Sequence, residues 1–211
     1  MYKEKEKSYA VIAFVYYFIS LSGFLVMGIM YKNDIPCYFL INLILIIAAV
    51  LTVILKDKSL INLGFSNKKI GRNLLAAFSV IAVSVSLAFI VGSLPANKIL
   101  KGTAYFLFYI ALPEEMIFRG FLQNYLFGLK TDRKLIFIIC ALMFSFMHLP
   151  FQMYVNGNPS FSYFLESAPQ LIFTFLLHLI MCFITKKTGD IIIPVSLHFA
   201  LDFIQEVLQN M

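Results

Sequence analysis

The stretch Tyr9–Tyr31, YAVIAFVYYFISLSGFLVMGIMY, runs for 23 residues without a charged side chain. At about 1.5 Å of rise per residue, a helix of that length crosses the ~30 Å hydrocarbon layer of a bilayer. It is too long and too rich in tyrosine for a cleaved signal peptide, and no small-residue cleavage motif follows it, so it reads as a retained span. Hydropathy over windows of about 19 residues places further spans at Pro36–Leu55, Leu74–Leu94, Thr103–Phe127, Leu135–Met153, Ala168–Thr185 and Ile191–Leu208. The count is seven, or eight if Pro150–Pro169 adds a re-entrant or interfacial piece. There Pro150, Asn156, Gly157, Asn158 and Pro159 punctuate the chain as turns do, while Phe161–Leu165 is apolar. The expected fold is therefore all-α, a polytopic transmembrane helix bundle around an intramembrane cavity, with 1–211 forming a single integral-membrane domain.

Composition agrees with the spans. The chain is 61% hydrophobic and only 13% charged, with a mean hydropathy of +0.86, against roughly 45–50% and ~25% in a soluble domain. Seven spans leave no room for a soluble catalytic or nucleic-acid-binding domain. The net charge of +6 is a topology signal. With a cytoplasmic N-terminus, the inner segments hold Lys3, Lys5 and Lys7; Lys56, Lys58, Lys68, Lys69 and Arg72; Lys130, Arg133 and Lys134; and Lys186 and Lys187. Only Lys32, Lys98 and Lys101 fall outside. That excess predicts a multi-pass protein of the cell membrane with its N-terminus in the cytoplasm, its basic residues beside an anionic leaflet. No nucleic-acid partner is needed; the lipid bilayer is the partner. The longest polar stretch, Lys56–Asn73, carries Leu60, Ile61, Leu63 and Phe65 between its charges and is expected on the inner membrane surface. Cys37, Cys140 and Cys182 form neither a zinc-type spacing nor an even disulfide set, and their apolar surroundings predict buried, inert thiols.

The remaining basic residue is Arg119, within the fourth span and close to Glu114 and Glu115 in Ala111-Leu-Pro-Glu-Glu-Met-Ile-Phe-Arg-Gly120. Each ionisable group near the centre of a span costs about 2.5–3.5 kcal/mol, so three within six residues require pairing, a water-filled cavity or a function. Glu115 and Arg119 are four residues apart, with the acid nearer the helix N-terminus, and can pair on one face. That pair is either architecture or support for a site. Glu114 is rotated by ~100° from Glu115 and needs another partner. Pro113 removes one backbone hydrogen bond, and irregular backbone at this depth is tolerated where it is buried or lines a cavity.

All three histidines also fall within spans. His178 has no ionisable residue three or four positions away and reads as a cross-helix hydrogen bonder. His198 and Asp202 are one turn apart and project together; such a pair can bind a metal, orient one residue with the other, or donate to an oxyanion. Measured from the predicted cytoplasmic edges, Glu114, His148 and His198 lie about 20, 20 and 10 Å deep, so His198 is the shallowest.

Glu114-Glu115-x-x-x-Arg119, Phe144-x-x-x-His148 and His198-x-x-x-Asp202, in that order on three spans, resemble the motifs of the CPBP family, the CAAX proteases and bacteriocin-processing enzymes also called the Abi family. The resemblance covers Leu112–Asp202, making 112–202 the family-like catalytic region, and it implies an intramembrane endopeptidase. Carried over by position, Glu114 and His148 would hold and activate the attacking water, Arg119 would brace Glu115, and His198 with Asp202 would serve the oxyanion or complete a metal site. Asp202 departs from the CAAX-cleaving branch, which typically has asparagine there. An amide donates to an oxyanion, whereas an ionised aspartate repels it, so Asp202 must be protonated, orient His198 or bind a cation. The family's frequent label of metalloprotease favours a cation. Zinc accepts Glu114, His148, His198 and Asp202 as ligands with room for water, although no His-Glu-x-x-His is present.

The expected function is hydrolysis of a membrane-associated peptide or protein, such as a bacteriocin or signalling-peptide precursor, with self-immunity as a related role. Two other classes stay open. One is a non-catalytic immunity or scaffold protein binding a peptide in the same cavity. The other is an ion-coupled transporter, disfavoured because no paired repeat with broken helices is visible.

Overall fold

The uncharged runs fold as helices, because a backbone in hydrocarbon must satisfy its own hydrogen bonds. The computed structural model describes residues 1–66, 69–91 and 94–210. Eight helices follow in order among the described residues: α1 (Lys7–Lys32), α2 (Phe39–Asp57), α3 (Ile70–Val91), α4 (96–129), α5 (Arg133–Val155), α6 (Phe161–Glu166), α7 (Ala168–Thr188) and α8 (Ile192–Gln209). Five of them, α1, α2, α3, α5 and α7, are long and apolar enough to cross a membrane. The motif residues Glu114, Glu115, Arg119, His198 and Asp202 lie on α4 and α8, and their charges lower the hydropathy of those two helices. Lys68, counted above among the inner basic residues, and Gly92 and Ser93 of the third predicted span lie outside the described residues.

The bundle is apolar on its outside. Ile90 is 78% and Leu55 76% exposed, an arrangement suited to lipid and not to water. Small residues sit where helices meet: Ala13, Ala49 and Ala88 are buried, and Gly28 brings α1 against the backbone of Phe151 in α5. Van der Waals closeness of this kind holds membrane helices together.

The basic segments gather at one end of the bundle. Lys5 lies 3.7 Å from Asp57, Arg133 donates to the backbone oxygen of Tyr2 at 2.6 Å, and Asn73 donates to Asp190 at 2.7 Å. Local signals set the helix ends. Lys58 and Gly189 close α2 and α7 in left-handed conformation, and the Asp132 carboxylate caps α5 by accepting from the amides of Lys134 and Leu135.

In the 150–169 region α5 continues through Val155, and α6 has only six residues, about 9 Å of helix. Two expectations change. The 56–73 segment does not simply lie on the surface. Leu60 and Ile61 are exposed, but Asn62 and Leu63 are buried, because Leu63 packs against Gly120, where an added Cβ would stand 2.3 Å from the Leu63 carbonyl oxygen. Cys140 and Cys182 are buried as expected, whereas Cys37 is exposed; it stands in the turn between α1 and α2, in left-handed conformation.

Candidate active site

α4 changes its winding around the acidic motif. Tyr105–Ala111 and Glu115–Leu122 are π-helical, separated by the α-helical turn Leu112–Glu114 that contains Pro113. Wider π turns are frequent at functional sites, and here they flank a proline that cannot donate a backbone hydrogen bond.

The two glutamates face different surroundings, as their ~100° separation requires. Glu115 is fully buried. Its Oε1 lies 3.1 Å from Nη1 of Arg119, one turn along the helix, and 2.9 Å from Nδ1 of His198 on α8. Arg119 is also fully buried, and its guanidinium lies over the ring of Phe144 at 4.0 Å from the centroid. A desolvated cation on an aromatic face gains about 2 kcal/mol. The Glu115 carboxylate, paired with Arg119, has no proton to give, so Nδ1–H of His198 is the donor. Nε2 of His198 therefore points away, 3.8 Å from Oε2 of Glu114 and 3.4 Å from Oδ2 of Asp202.

His148 interrupts α5. Its Nδ1 lies 2.9 Å from the carbonyl of Phe144 and 3.3 Å from that of Ser145. Carbonyls only accept, so Nδ1 carries the proton and Nε2 is left as an acceptor. Glu114, His148, His198 and Asp202 together line one cavity of about 790 Å³, within the range of roughly 300–1,000 Å³ usual for ligand pockets. From this tier the lining extends to Tyr31, Tyr38 and Val155, at the end opposite the basic segments.

All six motif residues thus meet, including His198, the shallowest of them by its depth in the sequence. The loop after α2 explains the match. Ile191, just before α8, donates its amide to the carbonyl of Gly64 at 3.0 Å, and neighbouring Leu63 touches Gly120. α8 thus starts at the level of Gly120, well inside the end of α4. Seven residues from Ile191 to His198 rise about 10 Å, and six from Gly120 back to Glu114 about 9 Å, so the two antiparallel helices bring these side chains level.

Two contributions went unassigned in the sequence. Phe144 is the common wall of the site: its ring centroid lies 5.1, 5.7 and 6.3 Å from those of His148, His178 and His198. Its position one turn before His148 was the available signal. Tyr2 is buried and donates its hydroxyl to the backbone carbonyl of Arg119 at 3.1 Å; nothing in the sequence points to that contact. His178 reaches Gln123 of α4 with an Nε2 to Oε1 distance of 3.1 Å, as a cross-helix hydrogen bond predicts. Among the described residues no group of three or more His, Cys, Asp or Glu is arranged to hold a metal ion.

A family model described as Rce1-like, type II CAAX prenyl endopeptidase Rce1-like, matches residues 95–204, slightly more than half of the chain. No curated protein and no solved structure matches.

Proposed function

The chain belongs to the Rce1-like family of type II CAAX prenyl endopeptidases, a family of membrane proteases, and from that premise we propose that it hydrolyses peptide bonds inside the bundle with a water activated by Glu114 and His148. One observation carries this reading. Glu115 is fully buried between Arg119 and His198, while the Glu114 side chain is 31% exposed and lines the same cavity as His148 with its acceptor nitrogen. Two acceptors facing one space can take both protons of a water and turn its lone pair toward a carbonyl.

Attack places the water oxygen on the peptide carbon, and its proton passes to Glu114. The carbonyl oxygen becomes an oxyanion, which Nε2–H of a protonated His198 stabilises. The carboxyl groups of Glu114, Glu115 and Asp202 all lie within 4 Å of the His198 ring nitrogens, so a proton on His198 improves the charge balance. Asp202, 3.4 Å from that nitrogen, supports the imidazolium and acts on the oxyanion only through it. Collapse of the intermediate sends the Glu114 proton to the leaving amine, giving an acid and an amine.

The substrate class we propose is a short membrane-associated peptide, such as a bacteriocin or signalling-peptide precursor. The protein would act in the cell membrane with its N-terminus in the cytoplasm, and self-immunity would be a biological use of the same activity. Incubating purified wild type and Glu114→Ala with a pooled library of such precursors tests the reading: cleavage by wild type alone is expected. Equal results from the two proteins, both folded and with prenylated CAAX peptides in the pool, would favour a peptide-binding immunity or scaffold protein.

A further inference from the structure

The cavity continues beyond the ionisable residues, and its next tier is made of amides. Gln152 lies one turn past His148 on α5, its backbone amide bonded to the His148 carbonyl at 3.3 Å. Gln205 follows Asp202 by three residues on α8, and Gln170 enters from α7; all three line the cavity. α7 is held against α5 about one turn before His148 by Thr174, whose hydroxyl donates to Ser145 at 3.1 Å. Oε1 of Gln152 is buried without a hydrogen-bond partner among the described residues. A buried unbonded amide oxygen is costly, and the fold itself makes no use of it.

We propose that this tier binds the main chain of an extended peptide, with the Gln152 carbonyl accepting a backbone N–H and the amides of Gln170 and Gln205 supplying further donors and acceptors. The inference rests on the endopeptidase reading for the ligand's class. A peptide drawn into a low-dielectric bundle loses water from every amide and needs a partner for each. A carboxamide offers both a donor and an acceptor, as a peptide unit does. Gln152 lies four helical residues past His148, about 6 Å, and Gln205 seven past His198, about 10 Å, the lengths of two and three residues of extended chain at about 3.3 Å each. The recognised bonds therefore lie within about three residues of the one cleaved, and the recognition is independent of side chains.

The chain contains no tryptophan, so a tryptophan in the ligand reports binding without any need for turnover. The probe is a ten-residue peptide of alternating apolar residues and serines with one tryptophan, used unmodified and with one backbone nitrogen methylated at a time. It is titrated into detergent-solubilised wild type and Gln152→Leu, with Gln205→Leu as a second variant and circular dichroism as the control for folding. One methylation and Gln152→Leu should each weaken binding about five- to tenfold. Combined, they should weaken it no further than either alone, because both remove the same bond. Multiplying effects at every methylated position, no effect of either substitution, or no binding of the unmodified probe would overturn the proposal. Coupled binding without cleavage of the precursor library by wild type would keep the amide tier and remove the endopeptidase; cleavage without coupling would do the reverse.

Discussion

His198 on α8 reaches across to Glu115 on α4, with Nδ1 2.9 Å from Oε1, and this bond separates the roles of the two adjacent glutamates. Glu115 is buried between Arg119 and His198, whereas the Glu114 side chain is 31% exposed to the cavity. Removing one member of a buried pair strands the other charge at a cost of about 3–5 kcal/mol. Glu115→Ala and Arg119→Ala should therefore lower the thermal unfolding midpoint strongly in detergent. Glu114→Ala should abolish hydrolysis and leave that midpoint almost unchanged.

Gly120 admits the loop that raises α8. A Cβ there would stand 2.3 Å from the Leu63 carbonyl oxygen, and the obstacle is backbone that cannot swing aside. Gly120→Ala should cost about 1–3 kcal/mol of stability and most of the activity, because displacing Leu63 and Gly64 displaces the start of α8. Gly71→Ala, with open space around it, is the control; equal unfolding midpoints for the two variants would contradict this account.

Tyr2 braces the carbonyl of Arg119 from the basic end. Burial raises its hydroxyl above the usual tyrosine range, so it remains a donor at any physiological pH. Tyr2→Phe should lose about 1 kcal/mol, read as a small fall in unfolding midpoint, with cleavage retained.

Cys37 tests the orientation. It is the exposed thiol, between α1 and α2 at the end away from the basic segments, while Cys140 and Cys182 are buried. With a cytoplasmic N-terminus, a membrane-impermeant maleimide applied to intact cells should label wild type and leave Cys37→Ser unlabelled. Labelling of wild type only after the cells are opened would place the N-terminus outside.

The proposed water activation predicts the response to chelators. Glu114 and His148 take the protons of the water without a metal, so metal-stripped protein should keep its peptidase activity. Loss of activity on chelation with recovery on adding zinc would restore the zinc site expected from the residue types.

The helical membrane class, the pairing of Glu115 with Arg119 and the separate position of Glu114 were all legible in the sequence. Each depends on a local period: about 20 apolar residues span a bilayer, and residues four apart on a helix share a face. His198 shows where that reasoning ends. Depth counted from the edge of its own span makes it shallow, because such a count assumes that every helix starts at the same level. Leu63 packed on Gly120 and Gly64 bonded to Ile191 lift α8 into the bundle. Which nitrogen of His198 meets Glu115, which wall Phe144 supplies and where Gln152 finds no partner likewise depend on contacts between distant segments. Periodicity assigns a residue to a face of its own helix; only packing decides the height of that face and what it meets.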